Sequence, residues 1–250
     1  MQKFLISLSC LFLFNGLCFA NEMNPIHINN SYNIFSDPEF MPTEKIIKKQ
    51  IITTYAQDND GPLKTIYHAN EQGFFEKAIT SDAQYNIDVD YSVHSIKYLN
   101  KKLWFKLNEQ QNITSIVDDK QQNVSSLIYN QSGQLIEKNT DDAVWQQPLK
   151  RRYEYANNKV VRYTECWDDG CSLGEYSYNP AGWLIKVKSK SIDDDVNNSQ
   201  SKNNQTDNSN SYNIKCTFAK HNQHGDWTYG YCITPDGVTN TTFYRKLEYW

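Results

Sequence analysis

Apolar and polar residues alternate with period two in three well-separated stretches of the chain. Leu103, Phe105 and Leu107 fall on one side against Trp104, Lys106 and Asn108. Trp183, Ile185 and Val187 alternate with Lys186, Lys188 and Lys190, and Phe243, Arg245, Leu247 and Tyr249 alternate with Tyr244, Lys246, Glu248 and Trp250. Successive side chains of a strand point to opposite faces, whereas a helix repeats every third or fourth residue, so this period predicts strands. From residue 43 onward strands and turns follow one another at the spacing of an antiparallel meander. Lys45–Tyr55 is mixed: Glu44–Gln50 could begin a helix, but the β-branched run from Ile51 reads as strand.

The turns carry a recurring cassette of the form Tyr-x3-Gly-x-Leu. Its tight copies run from Tyr129 through Gly133 to Leu135 and from Tyr178 through Gly182 to Leu184. Stretched copies run from Tyr55 around Gly61 to Leu63 and from Tyr67 around Gly73 to Phe75. An aromatic strand residue leads into an Asn-, Asp- or Pro-containing turn, glycine supplies the positive φ, and an apolar residue restarts the next strand. The fold class read from these patterns is all-β, an antiparallel meander of stacked hairpins forming a curved sheet with little helix.

Three segments fall outside that pattern. Met1–Ala20 has a single early charge (Lys3), an apolar stretch from Phe4 to Phe14 and a small residue at Ala20, the form of a secretory signal peptide cleaved after Ala20. Asn15 and Gly16 interrupt the run before it could span a bilayer, and no later segment is apolar enough to do so. Residues 21–42, rich in Asn, Pro and Ser, read as an extended N-terminal arm. Residues 192–211 hold the triple aspartate Asp193–Asp195 and almost nothing apolar, and read as a disordered insertion in a β-repeat domain spanning 43–250. The stretch 212–250 is either a separate terminal unit or part of the same sheet.

Four cysteines follow the signal segment: Cys166, Cys171, Cys216 and Cys232. An even number in an exported chain predicts two disulfides. The Asp168–Asp169–Gly170 turn sets Cys166 opposite Cys171, and the segments around Cys216 and Cys232 are able to pair as strands, so the bridges predicted are Cys166–Cys171 and Cys216–Cys232. A four-thiolate zinc site would want closer spacing than the gap between Cys216 and Cys232.

Composition narrows the function classes. With 29 acidic against 25 basic residues the chain is mildly acidic, so no basic face dominates and nucleic acid is not an expected partner. The 17 Tyr, 11 Phe and 6 Trp favour strands and provide rings beyond what one sheet's core needs.

The Tyr-Asn-x-x-Gly-x-Leu units resemble the YD repeats of RHS-type proteins, with Asn130 and Asn179 at the usual Asp position. The segment Phe218–Thr228 is similar to the Gly-Asn-Trp-Thr ending of small exported relatives, and Arg245–Tyr249 to their final Arg-x-Ile-x-Tyr strand. The resemblance covers about half of the chain after the signal. It implies stacked antiparallel hairpins; large RHS proteins wrap such repeats into a shell around a toxin domain, which a chain of this length is expected to be too short to do.

No catalytic set emerges. The sequence has no Gly-x-Ser-x-Gly elbow, His-Glu-x-x-His helix or phosphate-cradling glycine loop. His221 and His224 lie in a loop beside Gly225, and the pairs Asp58/Asp60 and Asp168/Asp169 sit where turn chemistry places Asp. The expectation is a protein that is not an enzyme, with no metal and no cofactor, exported to the periplasm or beyond, and binding a protein or glycan of the cell envelope through exposed rings. Trp104, Trp145, Trp167 and Trp250 are the candidates for that contact. An immunity or inhibitor protein against a delivered toxin, and a structural envelope protein, are the alternatives.

Overall fold

The computed structural model describes residues 25–57, 61–82, 86–140, 150–168, 170–192 and 213–250. The signal segment, most of the 192–211 insertion, Asp58–Asp60 and Trp145 lie outside them. The strands are β1 (Ile47–Ala56), β2 (Leu63–Ala69), β3 (Phe75–Thr80), β4 (Asn86–Asp90), β5 (Ser95–Tyr98), β6 (Lys101–Leu107), β7 (Ile113–Val117) and β8 (Asn123–Tyr129). They continue as β9 (Leu135–Thr140), β10 (Lys150–Ala156), β11 (Lys159–Trp167), β12 (Gly170–Tyr178), β13 (Leu184–Ile192), β14 (Ile214–His221), β15 (Trp227–Ile233) and β16 (Thr239–Tyr249). The ambiguous Lys45–Tyr55 stretch is therefore strand from Ile47.

Every strand pairs antiparallel with its sequence neighbours, and β16 pairs with β1, with Ile52 opposite Arg245 and Tyr55 opposite Thr242. The sheet is a closed barrel rather than the open curved sheet expected. Closure removes both free edges, which an open sheet would have to protect. β14–β16 belong to this one barrel.

Seven turns among the described residues share one hydrogen-bond pattern. In each, the fourth residue donates to the carbonyl of the first, and the first donates to the carbonyl of the fifth. Their first and fourth residues are Asn70/Gly73, Asn108/Gln111, Asp118/Gln121, Asn130/Gly133, Asn179/Gly182, Asn222/Gly225 and Thr234/Gly237. All seven fourth residues have positive φ, from 62° at Gln121 to 86° at Gly73. In the Asn and Asp copies the leading side chain also accepts from the fifth backbone N–H, as Asn130 does from Gln134 at 3.0 Å, which replaces ladder bonds lost at the turn. The sequence pattern found three of these; Gln at the fourth position hid two, and leaders other than tyrosine, His221 and Ile233, hid the others.

The tyrosines of the two tight cassettes, Tyr129 and Tyr178, reach back one hairpin on the inner face, whereas Tyr55 of a stretched copy lies on the outer wall. Tyr129 donates to the carbonyl of Ile113 at 2.5 Å and Tyr178 to that of Val160 at 2.8 Å. Tyr91 and Tyr155 do the same to Phe75 and Leu135 at 2.9 and 2.7 Å. Each hydroxyl thus satisfies a carbonyl at the first or second residue of an earlier strand, stitching successive hairpins on the inner face.

A barrel of this strand number is too wide for its own side chains to fill. Here the lumen holds residues 25–42, which the sequence reading took for an extended arm. Pro25–Phe35 is an α-helix (α1), followed by a 3-10 turn at Pro38–Phe40. Tyr32, Phe35 and Asn33 are almost wholly enclosed. Phe35 stacks on Phe75 at 5.7 Å, and Tyr32 meets the same ring edge-on at 5.9 Å. The expectation that the chain could enclose nothing is corrected: it encloses its own N-terminal segment.

Buried polar residues thread that segment through the barrel. Asn30 donates to the carbonyl of Gly133 at 2.8 Å and accepts from the N–H of Leu135 at 2.9 Å. Ser31 accepts from the N–H of Phe75 at 3.1 Å. Lys138 donates to the carbonyl of Ile34 at the C-terminal end of α1, at 2.6 Å, where a cation suits the helix dipole. Below the helix, Arg151 bridges Asp37 and Glu165 at 3.0 and 2.7 Å, and Tyr176 donates to Glu39 at 2.8 Å. Arg245 and Gln50 both donate to the carbonyl of Phe40.

A candidate binding face and a mouth cavity

Because directly opposed residues of an antiparallel sheet share a face, register places side chains on the outside of the barrel. One row runs Lys64, Thr53, Tyr244, Tyr229, Ala219 across β2, β1, β16, β15 and β14. The next runs Tyr55, Thr242, Tyr231, Thr217, Lys186 across β1, β16, β15, β14 and β13. Four tyrosines therefore cluster on three adjacent strands. Tyr55 and Tyr244 meet edge-on at 5.8 Å, Tyr229 lies 5.4 Å from Tyr244, and Tyr231 lies 6.1 Å from Tyr229. Tyr55 and Tyr244 are each 49% exposed, a large share for rings, and the Lys220 ammonium sits 5.1 Å from the Tyr229 centroid.

Lysines share this side of the barrel. Lys64, Lys186, Lys190, Lys215, Lys220 and Lys246 belong to this side of the barrel, with Glu248 the acidic residue on its strands' outer face. Among the described residues, lysines outnumber acidic residues on the outer face of these strands, although the chain as a whole is mildly acidic. Elsewhere on the wall charges are paired, as in Glu137 with Lys150 and Arg152, and Arg162 with Glu154 and Glu175.

The three described tryptophans of those singled out from sequence do not gather. Trp167 and Trp250 are exposed and Trp104 half-buried, on β11, at the end of β16 and on β6. Trp250 donates to the carbonyl of Ala69 at 3.2 Å with Lys48 over its ring at 4.4 Å, and Lys102 lies 5.5 Å from Trp104. Trp227 and Trp183 are structural: Trp227 donates to the carbonyl of Glu39 at 2.8 Å, and Trp183 stacks on His221 at 5.5 Å. The tyrosine cluster was legible only as the alternation Tyr229–Gly230–Tyr231; its other members come from β1 and β16, brought together by barrel closure.

At the end of the barrel carrying the Asn70, Asn108 and Asn130 turns, a cavity of about 420 Å³ lies beside α1. Its lining includes His27, Phe74, Tyr91, His94, Gln110, Gln111 and Tyr129.

Two groups in the lumen titrate far from their ordinary ranges. Burial pushes the Glu39 carboxyl up to about 7, helped by nearby Asp37, and burial brings the Lys138 ammonium down to about 7, helped by Arg151. Both hold the N-terminal segment and neither lines the mouth cavity. Among the described residues no three His, Cys, Asp or Glu side chains gather as a metal set. His221 contacts the carbonyl of Leu184 at 2.7 Å and His224 packs on Tyr249 at 4.8 Å. Both predicted disulfides are present, joining residues directly opposite across strand pairs, Cys166–Cys171 and Cys216–Cys232.

No protein-family model matches the sequence, and no curated protein does. A porin-like protein from Bacteroides uniformis superposes with a TM-score of 0.51 at 12% identity, over 82% of this chain and 99% of that one. The likeness is one of fold, an all-β barrel. Two toxin structures, TcdB2-TccC3-TEV and the Tc holotoxin pore of Photorhabdus luminescens, align with 73% and 77% of this chain and 10% and 12% of theirs. Their identities are 12% and 11%, with TM-scores of 0.29 and 0.31. No helix among the described residues is long and apolar enough to cross a membrane.

Proposed function

We propose that the protein is an exported, non-catalytic binding protein of YD-repeat type, and that its tyrosine face holds an acidic glycan of the cell envelope. The observation that carries this is the cluster of Tyr55, Tyr229, Tyr231 and Tyr244 on the barrel wall, with Tyr55 and Tyr244 exposed, Tyr229 and Tyr231 half-buried, and lysines on the same side. Aromatic faces stack on sugar rings, and lysines around them attract carboxylated units over distances of about 10 Å at moderate salt. The repeated Asn-led turn supports the YD-type architecture. Two disulfides support an oxidising compartment, where such polymers occur and nucleic acid is scarce.

The barrel is read as water-soluble. A lipid-facing barrel presents an apolar band outward and polar groups inward. Here Asp88, Lys97, Lys106, Arg152 and Glu175 are exposed within strands, while Ile87, Val89, Ile96 and Phe105 point into the core.

The test is binding of the oxidised mature protein to immobilised alginate (acidic) and dextran (neutral), read with the Tyr55→Ala/Tyr244→Ala protein beside it. Preferential binding to alginate, weakened at least about tenfold by the double substitution and by raised salt, is the expected result. Equal retention by dextran, or a variant that binds alginate unchanged, overturns the reading. Capture of one envelope protein at nanomolar affinity would favour the immunity or inhibitor alternative instead.

A further inference from the structure

We infer that the cavity beside α1 is a second binding site, built for a small uncharged polyhydroxylated molecule the size of a mono- or disaccharide. Its volume of about 420 Å³ falls in the range of small-ligand sites. Among the described residues, none that lines it is Asp, Glu, Lys or Arg. A charged ligand would lose hydration there without gaining a counter-charge. His27 is held toward its neutral form by burial, so it adds no fixed charge near pH 7.

The lining divides into a floor and a rim. Phe74 and Tyr91 lie 5.5 Å apart, and Tyr129 completes the aromatic floor. The Tyr91 and Tyr129 hydroxyls are committed to the carbonyls of Phe75 and Ile113, so these rings are fixed and present their faces rather than their donors. Around them stand Gln72, Gln110 and Gln111, from the turns that begin at Asn70 and Asn108, with His27 on α1 and His94 between β4 and β5. Asn30, Ser31 and Asn112 are already engaged with one another or with backbone. The rim amides and imidazoles are therefore the groups available to a ligand. A hydroxyl both donates and accepts, as an amide or a neutral imidazole does, which makes a polyol the matching chemistry.

The site is independent of the tyrosine face and on the barrel end rather than its wall. Its test is proton NMR of the imidazole C–H resonances, assigned by His→Gln substitutions, during titration with cellobiose and maltose. Glucuronate and glucosamine serve as charged comparators. A neutral disaccharide should shift His27 and His94 but not His221 or His224, saturating at or below about 1 mM, the weak end of specific binding. Gln72→Ala/Gln110→Ala, both exposed on turns, should raise the apparent Kd at least about fivefold with thermal unfolding unchanged, by loss of hydrogen bonds. Phe74→Ala should abolish the shifts. Tyr55→Ala/Tyr244→Ala should leave them intact, which separates this site from the wall face. No shift at tens of millimolar sugar, equal response to the charged comparators, or shifts indifferent to the Gln72→Ala/Gln110→Ala protein would each overturn the inference.

Discussion

Gly73 and Gly237 offer a controlled test of whether α1 is seated against the barrel. Both close turns of the same pattern, with φ of 86° and 84°. Alanine at either therefore carries the same left-handed backbone penalty, roughly 1–2 kcal/mol, offset equally by the lost freedom of the unfolded chain, about 0.4–1 kcal/mol. Their surroundings differ. A Cβ at Gly237 would meet nothing within 4 Å, whereas one at Gly73 would stand 2.8 Å from Cδ1 of Ile28, 3.2 Å from its Cγ1 and 3.3 Å from Cγ2 of Ile46. Ile28 is 6% exposed on α1 and has little room to turn away, so overpacking adds about 1–3 kcal/mol at this site alone.

Urea unfolding of the oxidised protein, with equal m-values required of each variant, should place Gly237→Ala within about 1 kcal/mol of the parent and Gly73→Ala about 1–3 kcal/mol below Gly237→Ala. In an Ile28→Ala background the excess at position 73 should shrink to what Ile46 alone imposes, giving a coupling energy on the order of 1 kcal/mol. Equal costs at the two glycines, or no coupling to Ile28, would refute the placement of the helix against the Asn70 turn.

Two further outcomes follow from the lumen. Glu39 titrates near 7 when folded against an ordinary 4.5, so the folded state binds more protons between those values and stability falls as pH rises from about 4.5 to 7. Lys138 titrates near 7 against an ordinary 10.5, so the unfolded state binds more protons above 7 and stability rises from there toward 10.5. Melting temperatures of Glu39→Gln and Lys138→Met, taken from pH 5 to 10, should lose the falling and the rising limb respectively; parallel curves for parent and variant would refute the assignment. Tyr155 donates to the carbonyl of Leu135 and accepts from Asn33, whereas Tyr178 makes the carbonyl bond to Val160. Tyr155→Phe, which strands a buried donor as well as an acceptor, should cost about 1–3 kcal/mol more than Tyr178→Phe in the same urea assay.

Period-two alternation and Asn-to-Gly turns are local signals, and they located several of the strands and three of the seven shared turns. The disulfides were legible for the same reason, since each joins strands that are sequence neighbours. The helix was not. Ile28–Asn33 reads Ile-Asn-Asn-Ser-Tyr-Asn, and Asn and Ser favour turns because their side chains compete for backbone groups. Inside the barrel those groups are used differently: Asn30 and Ser31 accept the N–H groups of Leu135 and Phe75. The polarity that suggested a solvated arm is what allows a helix to be buried in a lumen lined by turn and strand backbone.

Closure explains why the tyrosine cluster could not be read from the sequence, while single tryptophans could. The pairing of β1 with β16 joins positions nearly two hundred residues apart, as Tyr55 opposite Thr242 shows, and no local periodicity encodes it. Yet this seam sets Tyr55 and Tyr244 against each other and places Lys64 and Lys186 at opposite ends of adjoining rows. Had the sheet stayed open, Tyr55 on the first strand and Tyr229, Tyr231 and Tyr244 on the last two would lie at opposite edges. The tyrosine cluster is thus a property of the closed topology: it should fail together with the β1–β16 pairing, whereas the mouth cavity, built chiefly from α1 and β2–β9, draws none of its described lining from that seam.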